Sequence, residues 1–303
     1  YFVGAYLGSA SKRELELIAA GAGLVGCETT RHAVRWVVGR HGAEGPLTRF
    51  VGDIAESDDL VPILGMAMIF PAAGVGDVAI RLPWQAWAAA TIGLGIVLGG
   101  TAAALLRSEP SAGDGWGVII GATLLCAGIA WRLGLAPQAA TFALGISLSA
   151  LSRHGAELRG MLVQTEQPVL LPILVLAGAC VEIGRPNELV AAAVIALALR
   201  GGVRFLAAPA IAKLAGVERV SSKDFAIGLL PSGALSIIVA LAFVGRFPGV
   251  PGNAILAIAV ALAIVGEAVG PAALRRALVQ VSEITVPAAD ADDPVPGSPE
   301  TAP

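Results

Sequence analysis

Apolar runs of near-spanning length recur along the whole chain, and no other feature limits its fold as tightly. They lie near 14–38, 48–70, 84–106, 116–132, 137–152, 168–184, 188–214, 223–245 and 252–274, separated by charged or Pro/Gly-rich breaks. A membrane-spanning helix takes about 20 mostly apolar residues at about 1.5 Å each. The pattern predicts an all-α polytopic membrane protein with about nine spans. A transmembrane barrel needs alternating runs of about ten residues. VAAAVIALAL and AILAIAVALAIV do not alternate, so helices are expected. Composition agrees, with 56% hydrophobic residues, 14% charged residues and a mean hydropathy of +0.78. A soluble chain carries about 25% charge. These values exclude an ordinary soluble globule, a nucleic-acid binder with a basic face and a disordered scaffold.

The net charge of −3 conceals a split: residues up to Arg276 carry +2 and the rest −5. The terminal VPAADADDPVPGSPETAP has no sustained apolar period and reads as disordered. The expected division is a membrane domain over 1–277 and an acidic tail over 278–303. At the other end, YFVGAYL reads as the close of an apolar segment already under way, so further spans are expected upstream. With the C-terminus in the cytoplasm, basic residues fall eleven inside and six outside, which favours that orientation. Arg31, Arg200 and Arg204 remain at membrane depth. RHGAELRGMLVQTE, 153–166, reads as a cytoplasmic linker along the membrane surface, with Leu158, Met161 and Leu162 on one side. Cys27, Cys126 and Cys180 show neither metal spacing nor a disulfide framework and are expected as small packing residues. The sequence holds no P-loop, HExxH or GxSxG pattern, and neither an enzyme nor a cofactor is expected.

Charges inside a bilayer are costly, so each one needs a partner or a wet cavity. GDIAESDDLVPILGMAMIF, 52–70, places Asp53, Glu56, Asp58 and Asp59 at the head of an apolar run. At about 100° per residue, Asp53, Glu56 and Leu60 share one side, and Asp58 and Asp59 point about 100° apart. A helix starting near Thr48 would bury the Asp pair about 15 Å deep. A cytoplasmic loop before a helix at Leu60 is the other reading, but Leu60–Phe70 is too short to span. Adjacent carboxylates at depth suit a bare monovalent cation or, in its place, protons. On one helix they do not suit two carboxylates sharing a water, which sets aside intramembrane aspartyl chemistry. In GAGLVGCETTRHAVRW, 21–36, small residues lead into Glu28, Thr29 and Thr30. If the helix unwinds there, hydroxyls and freed carbonyls are possible ligands. Threonine back-bonding in an intact helix is the alternative. Arg200 and Arg204 are four apart, beside Gly201-Gly202 and before Pro209. They are placed to neutralise the Asp pair, or else to serve as a structural ion pair or snorkel at a helix end.

Six pieces in order give the chain a resemblance. They are GCETTRH followed by GRHGAEGPLTRFVGDIAESDDLVPIL, then WRLGLAPQAATFALGISLSALSRHGAEL, QPVLLPILVLAGACVEIG, ALRGGVRFLAAPAIAKLAGV, FAIGLLPSGALSIIVAL and NAILAIAVALAIVGEAVGPAALRRAL. Over nearly all of 1–277 the chain resembles the monovalent cation:proton antiporter superfamily, which includes the sodium/proton exchangers. The resemblance implies an inverted-repeat fold with a dimerisation half and a core half, in which two discontinuous helices cross at the ion site. It implies a secondary transporter exchanging Na⁺ or K⁺ for H⁺ by alternating access. A regulated K⁺ efflux or channel-like protein of the same fold is the alternative. The implied partners are those ions, the lipid bilayer of a bacterial-type inner membrane and, for the full-length protein, a second copy of the chain. Asp58 and Asp59 match the family's double aspartate, Asp59 its ion-binding position, Thr29 and Thr30 its broken-helix polar pair, and Arg204 its basic residue. The chain departs from the pattern at Glu28-Thr29-Thr30, which lacks proline and brings an extra carboxylate toward the site. Ser57 stands where an apolar residue is common, and Pro231-Ser232-Gly233 lacks the usual arginine and glutamate.

Overall fold

A computed structural model describes residues 11–75, 82–107, 112–152, 155–181, 186–216 and 221–284. The expected features at 1–10, Arg81, Arg153, Arg185, Arg219 and 285–303 lie outside the described residues. The described residues form helices and connections, without strands. The helices are α1 (Lys12–Cys27), α2 (Arg31–His41), α3 (Pro46–Ser57), α4 (Leu60–Ala73), α5 (Trp84–Leu106) and α6 (Ala112–Arg132). They continue as α7 (Pro137–Leu151), α8 (Gly155–Ala179), α9 (Pro186–Leu214), α10 (Ser222–Gly228), α11 (Ala234–Arg246) and α12 (Val250–Gln280). Four stretches are long and apolar enough to cross a membrane: Trp84–Leu106, Gly115–Arg132, Leu189–Leu214 and Val250–Gln280. The protein is therefore a helical membrane protein.

Local chemistry sets the helix ends. Ser11 opens α1 with a capping box: its N–H donates to Glu14 Oε2 at 2.6 Å, and its hydroxyl accepts from the Glu14 N–H at 3.3 Å. Gly42, in the left-handed region at φ +57°, closes α2. Pro137 occupies the first turn of α7, where its missing N–H is not needed.

Three of the nine expected apolar stretches are interrupted: 14–38 between α1 and α2, 48–70 between α3 and α4, and 223–245 between α10 and α11. In the second case Pro62 supplies the reason. Lacking an N–H, it cannot bond the carbonyl of Asp58, which accepts from Val61 at 3.1 Å instead. The expected linker 153–166 also differs. From Gly155 onward it is the first part of α8, a single helix running on to Ala179 with Pro168 and Pro172 inside it. Of the cysteines, Cys126 is buried, but Cys27 and Cys180 are exposed.

Helix α12 is the central element. It packs against α1, α2, α9, α10 and α11. Leu24 and Val25 of α1, Met66 and Phe70 of α4, Phe243 of α11 and Ile255 and Leu262 of α12 share the main core. Phe70 meets Phe243 and Phe247 edge-on, with ring centroids 5.2 and 5.6 Å apart. Helices α5 and α7 pack closely enough that a Cβ at Gly95 would lie 2.1 Å from the Ala140 carbonyl oxygen. Such small-residue contacts suit helix association in lipid. By contrast, Leu199, Val203 and Leu206 of α9 are exposed, as side chains facing acyl chains are.

Residues 278–284, assigned to the tail in the expected division, are packed onto the helices. Helix α12 continues to Gln280, and Leu278 and Ile284 are buried. Glu283 accepts from the N–H of Leu47 and the N–H and hydroxyl of Thr48, all at 2.7 Å. The physical reason lies in α3, which starts at Gly45-Pro46 and has no side-chain cap of its own. Its free N–H groups attract a carboxylate from 235 residues away. Glu283→Ala should cost about 2 kcal/mol, and Glu283→Gln less, because an amide oxygen still accepts. Thermal unfolding of the detergent-solubilised protein measures both.

Candidate functional site

Two helix interruptions meet in the core. Between α1 and α2, Glu28 (φ −66°, ψ 138°) and Thr30 (φ −66°, ψ 120°) are extended. Residues 229–233 separate α10 from α11. The Thr30 N–H donates to the Pro231 carbonyl at 3.0 Å, joining the two breaks. The second break rests on α12 at Gly266 and Gly270, where a Cβ would lie 2.6 Å from the Leu230 oxygen and 2.2 Å from Pro231 Cγ. No proline is needed at 28–30, because side chains from other helices take up the freed backbone groups.

Arg200 carries most of that load. Its guanidinium is 6% exposed and donates to the carbonyls of Gly26 (2.7 Å), Glu28 (2.5 Å), Pro231 (3.1 Å) and, at the limit, Val25 (3.5 Å). A cation thus sits at the negative end of α1. Arg204 adds longer bonds to the carbonyls of Cys27 (3.3 Å) and Glu28 (3.4 Å). At the N-terminus of α11, Gly233 has no side chain to cap with, and Glu28 replaces it. The buried Glu28 carboxylate accepts from the Ser236 N–H at 2.5 Å and from the Ser236 hydroxyl. Thr30 caps α2, its hydroxyl accepting from the His32 N–H at 3.3 Å.

These bonds change three of the expected roles. The freed carbonyls of Gly26, Glu28 and Pro231 are held by Arg200. Glu28 is engaged as a helix cap. Arg200, rather than Arg204, is the fully buried basic residue. Among the described residues no direct ion pair joins either arginine to Asp58 or Asp59.

The aspartates occupy the joint between α3 and α4, half-buried, and they have different surroundings. Asp58 turns toward the first break, where the hydroxyl and N–H of Thr29 face its carboxylate and Arg204 and Arg200 lie within electrostatic reach. Its Oδ1 is buried with no hydrogen-bond partner, and so is Nη1 of Arg204. Asp59 lies within reach of Asp58, Arg31 and Glu28. It lines a cavity of about 440 Å³ together with Glu28, Thr30, Leu60, Ile63 and Phe142. Glu56 reaches the same cavity but is exposed and paired with Arg35 at 2.8 Å. A surface pair of that kind contributes about 0–1 kcal/mol. Among the described residues no group of three or more His, Cys, Asp or Glu is placed to hold a metal ion. A cation here would draw on the aspartates together with hydroxyl, carbonyl or water oxygen.

Ser236, fully buried, is the functional residue that sequence reasoning missed. Its hydroxyl also reaches the Val25 carbonyl at 2.9 Å and lies 2.8 Å from Ser232 Oγ. The available signal was the PSGALS run, with two serines one helical turn apart directly after a Pro/Gly break.

No protein-family profile matches the sequence, and no curated protein matches it.

Arg200→Ala removes three close bonds to carbonyls in the core, leaving Gly26 without that donor, Glu28 with only the long Arg204 bond and Pro231 with only the Thr30 N–H, and should cost about 3 kcal/mol or more. Arg204→Ala, which loses only long bonds, should cost less than half as much. Thermal unfolding of the two variants in the same detergent tests this order. Equal losses would contradict it.

Proposed function

We propose that the chain is a secondary transporter that exchanges a monovalent cation, Na⁺ or K⁺, for protons across the membrane. One observation carries the reading. Two adjacent carboxylates lie at a helix joint beside a broken helix, one with an unpartnered buried oxygen and the other lining a cavity. In a low-dielectric site, both carboxylates cannot stay charged without a counterion. A bare cation or a proton meets that need equally well. Competition between them for one site, presented alternately to the two sides, is sufficient for exchange.

Each group has a part in this scheme. Asp59 takes the transported ion or proton from the cavity. Asp58 shares the charge, with Thr29 orienting its carboxylate. Arg204 lowers the cost of the ion-free state through its field on Asp58. Arg200 and Glu28 neutralise the helix ends, so that the broken backbone survives without the ion. The resemblance of the six sequence pieces supports the same assignment. It brings the nine-span architecture, a cytoplasmic C-terminus, a bacterial-type inner membrane and a homodimer as parts of the proposal.

The test is transport by the full chain in proteoliposomes loaded with a pH-sensitive dye, with Na⁺, K⁺ and Li⁺ gradients imposed separately. At least one cation should drive proton movement, and Asp59→Asn should abolish it while the protein still folds. Normal exchange in that variant would overturn the assignment. Arg204→Ala should retain exchange with a displaced pH profile. An unchanged profile would remove Arg204 from the scheme.

A further inference from the structure

A second cavity, of about 600 Å³, lies between α1 and α9, apart from the one lined by Asp59. Its two walls run in the same direction. Leu15, Ile18 and Ala19 of α1 lead toward Cys27, while Ala192 and Leu199 of α9 lead toward Arg200 and Arg204. The span from Leu15 to Cys27 is about 18 Å at helical rise. The result is a long slot, apolar along its length and cationic at one end. Arg200 is more than nine-tenths buried and committed to carbonyls, whereas Arg204, which also lines the slot, is partly exposed. Asp58 and Glu28 lie within electrostatic reach of both arginines, but among the described residues neither forms a direct ion pair with them. Val203 on the slot's wall and Leu206 beside it are exposed on a helix of spanning length, so the slot opens toward the lipid phase.

An apolar slot that ends at a partly exposed guanidinium is complementary to an amphiphile with an anionic head. We propose that it binds a single-chain fatty-acid carboxylate, with the head on Arg204 and the chain between α1 and α9. Arg204 is the better contact because it is only partly buried and its carbonyl bonds are long. The volume is that of a pocket for one small ligand and suits one acyl chain rather than the two of a glycerophospholipid. Occupancy would place a carboxylate on the arginine that reaches Asp58, but binding itself requires no transport.

Cys27 provides a direct readout, since it is exposed and lines the slot, whereas Cys180 is exposed outside it. The full chain is placed in phosphatidylcholine nanodiscs and treated with N-ethylmaleimide, and modification of each cysteine is followed by peptide mass spectrometry. Palmitate at about ten times its Kd should slow modification of Cys27 about tenfold. Cys180 should be unaffected. Hexadecanol at the same concentration should protect far less, and Arg204→Gln should remove the palmitate effect. Ala19→Phe, which fills the slot without touching the arginines, should also remove it and serves if the arginine variant does not fold. Equal protection by palmitate and hexadecanol, no protection by palmitate, or persistent protection in Ala19→Phe would each overturn the proposal. So would protection by added phosphatidylglycerol where palmitate gives none.

Discussion

The arrangement of the core depends on a buried guanidinium among helix ends. A broken helix in a bilayer exposes carbonyls at one terminus and N–H groups at the other, and lipid offers neither any partner. Arg200 meets the first need, at α1 and at the Pro231 turn. Glu28 meets the second at α11, through Ser236. The two side chains bind different helices from the same crossing point and so tie α1, α9 and α11 together. Each charge is also set against the helix end of opposite sign, which limits the cost of burying it.

This self-capping leaves the aspartates free of structural duty. Had the broken backbone depended on a bound ligand for its partners, the protein without it would hold a set of orphaned polar groups in its core. Arginine takes that role, and among the described residues the buried carboxylate oxygen left without a partner at the site belongs to Asp58. The split orientation of the pair follows from ordinary helical geometry, sharpened by the turn that Pro62 imposes. Asp58 faces the arginines and Thr29, and Asp59 faces the open cavity. One carboxylate is therefore held in a fixed field while its neighbour has room for a ligand.

The Asp helix is anchored at its far end as well. Glu283 caps α3 from beyond the last long helix, so residues after the membrane region reach back to the element that carries the aspartates. The other end of the α3–α4 unit is held by Arg13 and Arg246, which donate to the carbonyls of Ala73 and Gly74. The joint between the two helices, with its single three-residue hydrogen bond at Asp58, is the more deformable part.

Much of this was legible in the sequence. The apolar runs dictated helices in a membrane, because they do not alternate as the strands of a barrel would, and a closed barrel is the other structure that satisfies the backbone there. The charges at 28, 58, 59, 200 and 204 marked the site, because charge at membrane depth does not persist without a reason. The angle between Asp58 and Asp59 follows from helical periodicity alone. The partners were a different matter. Nothing in the spacing of Arg200 and Arg204 says which of them is buried among carbonyls, since both lie on one helix side and the choice depends on where α1 stops. Glu28 looked like a ligand until α11 supplied an N-terminus for it to cap. Ser236 read as one polar residue in an apolar helix, and Glu283 as part of a solvated tail. Each of these roles pairs groups from tens to more than two hundred residues apart. Local sequence fixes what a residue has to offer, and only the packed helices decide which unsatisfied group is near enough to take it.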